Sequence, residues 1–382
     1  MPADPRTVLI CNPGADLYGS DRMVVESVRA LVEGDFTVFV TVPGPGPLID
    51  LLTGAGATVL EQPTPIIRRS LLSPGGLLQL ARETLSAWGP SWQLLKYTNA
   101  GTVLVNTITP PLWPLLGKLA RRRVVCHVHE AESTVSPLLR RALYLPLSFA
   151  DRIVINSQFT RHVLGESASW LTDRARVVYN TVSGPSQVVL ARADLTAPIR
   201  LLYVGRLSQR KGPQVAVEAV RQLRERGRDV QLDLLGAVFP GNEAYEEGLR
   251  EQVAEAGLAD AVRFLGFRPA IWDTVAEADI VVIPALVDES FGNTAVEASL
   301  AGRPLIVSEI AGLKEASEAA TSRIFVPPAD ATAIADAVEA IADDWTSYAE
   351  KASTDAVLLA DRFSFRQYAD GLIDAMGLDT GV

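Results

Sequence analysis

The chain has 382 residues, of which 48% are hydrophobic and 21% charged, and its formal net charge is −10. That is enough apolar material for two or three domains with no need of metal or disulfide staples, and the pattern is too apolar for a disordered chain. Two cysteines, Cys11 and Cys126, exclude a disulfide framework and a Cys-rich zinc site and fit a reducing, cytoplasmic setting. The acidic balance argues against nucleic acid as a partner, because such proteins carry a large basic face.

Met1 to Arg6 is too polar to be a signal peptide. Thr7–Asn12 (TVLICN) is a buried strand type. Val24, Val28 and Leu31 then recur at helical spacing, with Ser20 or Asp21 as the cap. Phe36–Val42 is a second strand, stopped by a run of Pro and Gly. Further strands are predicted at Thr58–Leu60, Thr102–Asn106, Arg123–His127, Arg152–Asn156 and Arg176–Tyr179, each followed by a helix-sized segment. The longest uncharged run, Tyr97 to Gly117, contains Asn99, Asn106, Pro110, Pro111 and Pro114. It reads as strand, turn and helix start, and no transmembrane helix is predicted. The pattern breaks at Ser183–Pro198, so a linker is placed at 186–198 between an N-terminal domain (1–185) and a C-terminal one (199–360).

The second series of strands is predicted at Ile199–Gly205, Val230–Gly236, Val262–Leu265, Asp279–Pro284, Pro304–Ser308 and Ile324–Val326, with helices between them. From Asp330 the chain is helical and acidic, and residues 361–382 hold the final helix. Strand–helix alternation predicts parallel strands with helical crossovers. The expected fold class is α/β: two Rossmann-like, doubly wound domains facing an interdomain cleft. Open sheets of this kind bind ligands at the carboxyl ends of their strands.

Four segments carry candidate chemistry. In Tyr203–Gly212 (YVGRLSQRKG) a strand ends at Gly205, and Arg206 and Lys211 follow in the turn before a helix. A guanidinium fork and an ammonium there are placed to hold a diphosphate; the plainer alternative is an exposed basic loop. In Asp288–Glu297 (DESFGNTAVE) a helix begins near Gly292–Thr294, so its amino-terminal amides favour an anion. Glu289 and Glu297 border the same pocket, where carboxylates accept from vicinal hydroxyls; the alternative is two ordinary helix acids. After the first strand, Asn12–Asp21 lacks the G-x-G-x-x-G spacing of a dinucleotide site, and Gly19 lets the backbone approach a ligand. In His127–Glu130, alternation puts His127 and His129 on one side. The spacing does not suit a metal. His129 is placed to hydrogen-bond a substrate hydroxyl, whereas His127 is expected to be a satisfied core histidine.

Taken together, GRLSQRKG (Gly205–Gly212) and the E-x7-E pattern of ESFGNTAVE (Glu289–Glu297) resemble the retaining, nucleotide-sugar-dependent glycosyltransferases of the GT-B fold, family four, also described as group 1. Tyr18-Gly19-Ser20, His129, Asn180, Ala311-Gly312-Leu313 and the terminal FSFRQYADGLI segment support the resemblance, which covers nearly the whole chain. It implies that the second domain holds the donor and the first most of the acceptor site. Arg206 and Lys211 would neutralise the diphosphate, and Glu297 would bind the ribose. Glu289 would contact the transferred sugar, and the amides of Phe291, Gly292, Asn293 and Thr294 would border sugar and phosphates. Gly19 and Ser20 would close over the diphosphate, and His129 would lie by the sugar's outer hydroxyl. The last helix would cross back to the first domain. The family often has paired glycines where this chain has Tyr18-Gly19.

The function so implied is transfer of a sugar from a nucleotide-diphosphate sugar to a hydroxyl of a glycan or lipid-linked acceptor. The chain contains no D-x-D, so basic side chains take the place of a bridging metal and no cofactor is expected. The alternatives are a nucleotide-sugar epimerase on the same fold and a catalytically silent nucleotide-binding subunit. Residues 66–95 mix Arg68, Arg69 and Arg82 with Ile66, Ile67, Leu71, Leu72, Leu77, Leu78, Trp88 and Trp92. Lys96, Arg121–Arg123 and Arg140–Arg141 add charge. Such a surface can dock peripherally on anionic membrane at its inner face; the same pattern also fits helix cores with solvated arginines.

Overall fold

The computed structural model describes residues 3–17, 19–67 and 74–379. Tyr18, Arg68, Arg69, Leu71 and Leu72, singled out above, lie outside the described residues. The chain divides into two units, Met1–Thr181 with Phe365–Val382, and Val182–Ser364.

The first unit runs β1 (Asp4–Cys11), α1 (Gly19–Glu33), β2 (Thr37–Val42), α2 (Leu48–Gly54), β3 (Thr58–Glu61), α3 (Pro74–Thr98), β4 (Ala100–Asn106), α4 (Leu112–Leu119), β5 (Arg123–Val128), α5 (Pro137–Tyr144), β6 (Arg152–Ile155), α6 (Gln158–Ser167) and β7 (Ala175–Val177). All neighbouring strands are parallel, in the order β3-β2-β1-β4-β5-β6-β7. Because helices cover both faces, the central strands are apolar throughout: Val8, Leu9, Ile10 and Cys11 are all fully buried.

The second unit runs β8 (Ile199–Val204), α7 (Pro213–Glu225), β9 (Val230–Leu235), α8 (Glu243–Glu255), β10 (Val262–Gly266), α9 (Trp272–Glu277), β11 (Ile280–Ile283), α10 (Asn293–Leu300), β12 (Leu305–Ser308), α11 (Ala311–Ser317), β13 (Arg323–Val326), α12 (Ala331–Asp343) and α13 (Trp345–Arg362). Its parallel sheet has the order β10-β9-β8-β11-β12-β13. In both sheets the strand order reverses beside the first strand, between β1 and β4 and between β8 and β11. Ligand crevices open at such reversals, beyond the carboxyl ends of the strands.

The stretch 186–198, expected to be a linker, is instead fastened to the second unit. Asp279, 1% exposed, requires a partner. It accepts from Arg192 Nε at 2.8 Å and from the Arg200 amide at 2.7 Å. Trp345 Nε1 donates to the Arg192 carbonyl at 2.8 Å, and the buried Arg303 donates to the Val189 carbonyl at 2.9 Å. The final helix, α14 (Phe365–Met376), belongs to the first unit, so the change of unit falls at Ser364/Phe365 rather than at 361. Its buried face, Tyr368, Leu372, Ala375 and Met376, joins the core built from α1 and the β1–β2 side of the sheet, and Tyr368 Oη lies 2.6 Å from Ser27 Oγ on α1.

Candidate active site

In the second unit, the segments leaving β8 and β11 are held together largely by backbone. After Gly205 a short 3-10 turn, Gln209–Lys211, leads to Gly212 at φ 73°, and Pro213 opens α7. A side chain at 212 would put its Cβ 1.9 Å from the Pro284 carbonyl oxygen. Only glycine allows that approach with that backbone. The Leu286 amide donates to the Arg210 carbonyl at 2.8 Å, and Arg210 donates to the Asp288 carbonyl at 3.1 Å. The two loops therefore form one wall.

Their side chains meet on it. Lys211 Nζ lies 2.8 Å from Glu289 Oε2. Lys211, expected to add a point charge for a diphosphate, shares that charge with Glu289. The other carboxylate oxygen, Glu289 Oε1, is buried and has no partner among the described residues. Its acceptor capacity is therefore not used up by the protein groups described. Arg206 is exposed, with its guanidinium 5.2 Å from the centre of the Phe239 ring, and the Tyr203 phenol anchors its backbone by donating to the Arg206 carbonyl at 2.7 Å. Burial drives the Tyr203 phenol well above its usual pKa, and the charges of Tyr245 and Glu289 add to this while Arg206 opposes it.

Gly292, at φ 112°, caps α10. Phe291 is buried against Phe363, with ring centroids 5.8 Å apart. Asn293 and Thr294, half-buried, form the helix's first turn, and Glu297, also half-buried, lies one turn in, flanked by buried Val296 and Ala298. Cations, carboxylates and a helix amino terminus thus share the β8/β11 reversal.

In the first unit, Gly19 opens α1 with open space where a Cβ would project. The Ser20 carbonyl lies 3.5 Å from Asn106 Nδ2. His129, 9% exposed, follows β5, and its Nε2 is 2.9 Å from Asn106 Oδ1. The His127 and His129 rings lie 4.1 Å apart on one side, as alternation requires. His127 is buried but not satisfied: its Nε2 has no partner among the described residues. Burial lowers the pKa of His127 well below the ordinary value, with His129 adding to the effect, and takes that of His129 down to about 4. Glu130 accepts from the His129 amide at 3.1 Å, and burial pushes its carboxyl up to about 7. Both rings are neutral at neutral pH, so they can serve as hydrogen-bonding groups rather than cations. Among the described residues no group of three or more His, Cys, Asp and Glu side chains is arranged to hold a metal ion.

Three groups escaped the sequence reading: Asn12, Asn106 and Tyr203. Asn12 directly follows β1 and Asn106 ends β4, adjacent strands at the reversal. A polar amide closing an apolar strand was the available signal, but it looks the same as an ordinary turn residue.

Residues 193–376 match the family model described as Glycosyl transferases group 1, and residues 18–183 match Glycosyltransferase Family 4. The alpha-D-kanosaminyltransferase of Streptomyces kanamyceticus is 32% identical over 174 residues, which cover 45% of this chain and 44% of that protein. The D-inositol 3-phosphate glycosyltransferase of Corynebacterium diphtheriae is 32% identical over 208 residues, covering 51% and 48%. The chain therefore spans under half the length of these two curated relatives. The crystal structure of Anabaena Alr3699/HepE in complex with UDP and glucose superposes with a TM-score of 0.80 at 20% identity, covering 97% of this chain and 99% of that one. WaaG, a glycosyltransferase involved in lipopolysaccharide biosynthesis, superposes with a TM-score of 0.69 at 15% identity, covering 98% and 100%.

Proposed function

The chain belongs to the group 1 glycosyltransferases and has their two-domain GT-B fold, and from that premise we propose that it transfers a sugar, with retention, from a nucleotide-diphosphate sugar to an acceptor hydroxyl. The observation that carries the proposal is the wall at the β8/β11 reversal, where Arg206, the Lys211–Glu289 pair and the first turn of α10 occur together. Cleaving a sugar–phosphate bond builds negative charge on the departing diphosphate. Arg206, Lys211 and the α10 amides are fixed before that charge develops, which is where such donors act most strongly. Glu289 Oε1, buried and without a partner among the described residues, is suited to accept from a sugar hydroxyl. Glu297 takes the ribose hydroxyls in this scheme. With cations doing the neutralising, turnover needs no metal. The leaving phosphate itself takes the proton from the attacking hydroxyl on the same face of the sugar, so the anomeric configuration is kept.

The UDP and UDP-glucose complexes of the Anabaena neighbour make uridine the first base to test, and D-inositol 3-phosphate and 2-deoxystreptamine, named for curated relatives, join lipid-linked saccharides in the acceptor panel. The deciding experiment is turnover of a nucleotide-sugar panel with and without acceptor, in EDTA, with the product anomer read by NMR. An α-linked donor giving an α-linked product only when acceptor is present, undiminished by EDTA, supports the proposal. Conversion of the donor alone to its epimer, binding without turnover, an inverted product or loss of activity in EDTA each overturns the corresponding part.

A lipid-linked acceptor would be met by peripheral contact through the first unit. Leu77, Leu78, Leu85 and Trp88 of α3 are exposed, as is Arg82. A cavity of about 290 Å³ near the end of the same helix is lined by Trp92, Lys96, Arg121 and Arg122. Of the two arginines 140 and 141, only Arg141 is exposed. Arg140 is buried and pairs with Glu166, and Arg141 donates to the Ser167 carbonyl. No helix among the described residues is long and apolar enough to cross a membrane.

A further inference from the structure

Three side chains at the carboxyl ends of β1, β4 and β5 form a chain whose direction is set by groups that can only accept. Asn12 Nδ2 lies 2.9 Å from the Gly14 carbonyl and 3.1 Å from Asp21 Oδ1. A backbone carbonyl and a carboxylate have no proton to give, so Asn12 must turn its NH₂ to them and its Oδ1 the other way. Asn106 Nδ2 donates to that oxygen at 2.8 Å. Asn106 is thereby left facing His129 Nε2 with its own Oδ1, at 2.9 Å. An amide oxygen cannot donate, so the proton of that bond sits on Nε2. Asn12 and Asn106 are 0% and 2% exposed, so water cannot easily substitute for any link. The other ring nitrogen, Nδ1, has no partner among the described residues.

We propose that Asn12 and Asn106 are positioning residues that lock His129 as its Nε2–H tautomer, so that Nδ1 offers a fixed lone pair to a substrate hydroxyl. The lock starts at the Gly14 carbonyl and the Asp21 carboxylate in the first turn of α1, runs through two amides, and ends on the ring. It selects a substrate with a donating hydroxyl at that position and rejects one whose oxygen is methylated or removed. The buried, uncharged ring state described above is what such a lock requires.

The test reads the ring directly. The chain has three histidines, His127, His129 and His162, so long-range proton–nitrogen spectra of the ¹⁵N-labelled full chain contain few imidazoles, and His129→Gln identifies the signal. Near pH 7 the wild type should show a protonated Nε2 and a bare Nδ1. Asn12→Leu frees Asn106 to turn over, and Asn106→Leu removes the acceptor. In both, the two nitrogens should move toward the averaged shifts of an unrestrained imidazole. Asn106→Asp keeps an acceptor at Nε2 and should keep Nε2 protonated. A wild-type ring protonated on Nδ1, or a wild-type pattern in the leucine variants, overturns the proposal. Should the leucine variants not fold, the wild-type spectrum and that of Asn106→Asp decide it. The activity arm alone rests on the transferase reading: Asn106→Leu should lose roughly 5- to 150-fold in kcat/KM, the effect of leaving one buried polar group unpaired, and should lose its preference for the hydroxylated donor over the deoxygenated one. If the spectra behave as described but no nucleotide sugar is turned over, the lock stands and the transferase reading falls.

Discussion

Gly312→Ala tests whether the position of Glu289 matters to turnover while leaving its carboxylate chemically unchanged. Gly312 is the second residue of α11, and its backbone is not left-handed, so alanine adopts it without torsional strain. The methyl would land 1.9 Å from the Glu289 carbonyl oxygen, 2.9 Å from its carbonyl carbon and 3.1 Å from the Phe291 amide nitrogen. These are backbone atoms and cannot rotate aside. To regain van der Waals distance the 289–291 strand-end loop must retreat by more than about 1 Å. Overpacking of this kind destabilises by about 1–3 kcal/mol. A misplacement of about 1 Å at a reacting centre lowers rates by roughly 10². The assay is kcat/KM for the best nucleotide sugar, run beside calorimetric binding of the nucleoside diphosphate and a thermal melt. The expected pattern is a rate loss of about 10² with diphosphate affinity lowered less than tenfold, because Arg206 lies on the β8 side of the wall. A folded Gly312→Ala protein turning over within twofold of wild type would refute the role given to Glu289.

Arg206→Ala and Lys211→Ala should each slow turnover by ~10²–10³, as loss of one preorganised charge donor does; wild-type rates in steady-state assays of both would remove the diphosphate assignment. Burial raises the Glu130 carboxyl from its ordinary 4.5 to about 7. The folded state therefore holds the extra proton between those values, and this group's contribution to stability is lost as pH rises through the window, by up to about 3 kcal/mol. His129, lowered from 6.5 to about 4, acts with the opposite sign, its contribution being lost as pH falls through that range. Glu130→Gln should therefore stabilise the protein relative to wild type by a margin that grows from about pH 4.5 to about pH 7; a constant margin in melts across that range would contradict the assigned shift. Co-sedimentation with anionic vesicles should be weakened by Leu85→Asp and by Arg121→Glu with Arg122→Glu, and absence of any wild-type binding would end the membrane proposal.

The strands were legible because parallel strands covered on both faces are unbroken apolar runs. Thr7–Asn12, Arg123–His127 and Asp279–Pro284 each match an observed strand to within a few residues. What stayed hidden depends on partners distant in sequence. Residues 186–198 have a linker's composition, and nothing local shows that the buried Asp279 needs Arg192. The Lys211–Glu289 bond joins residues 78 apart in the chain, so spacing could nominate both and still miss that they neutralise each other in part. His129 was visible as a histidine at a strand end. The amides that orient it were not, because asparagine closing a strand is read first as a turn former.

On the proposed reading the two units use the same strand reversal for different chemistry, and the difference follows from burial. At β8/β11 the charged groups stay partly in water: Arg206 is exposed, and the Lys211 side chain keeps 33% of its surface. In the proposed transfer these charges are what neutralises the departing diphosphate. At β1/β4/β5, Asn12, Asn106 and His129 are buried and neutral at neutral pH. They offer little to a developing charge, but burial makes each donor and acceptor insist on a partner of the right kind. In the proposed reading the charged site stabilises the leaving group and the buried, neutral one discriminates among hydroxyls. Variants of the first should therefore show their effect chiefly in turnover with any accepted donor, and variants of the second chiefly in which donor is accepted.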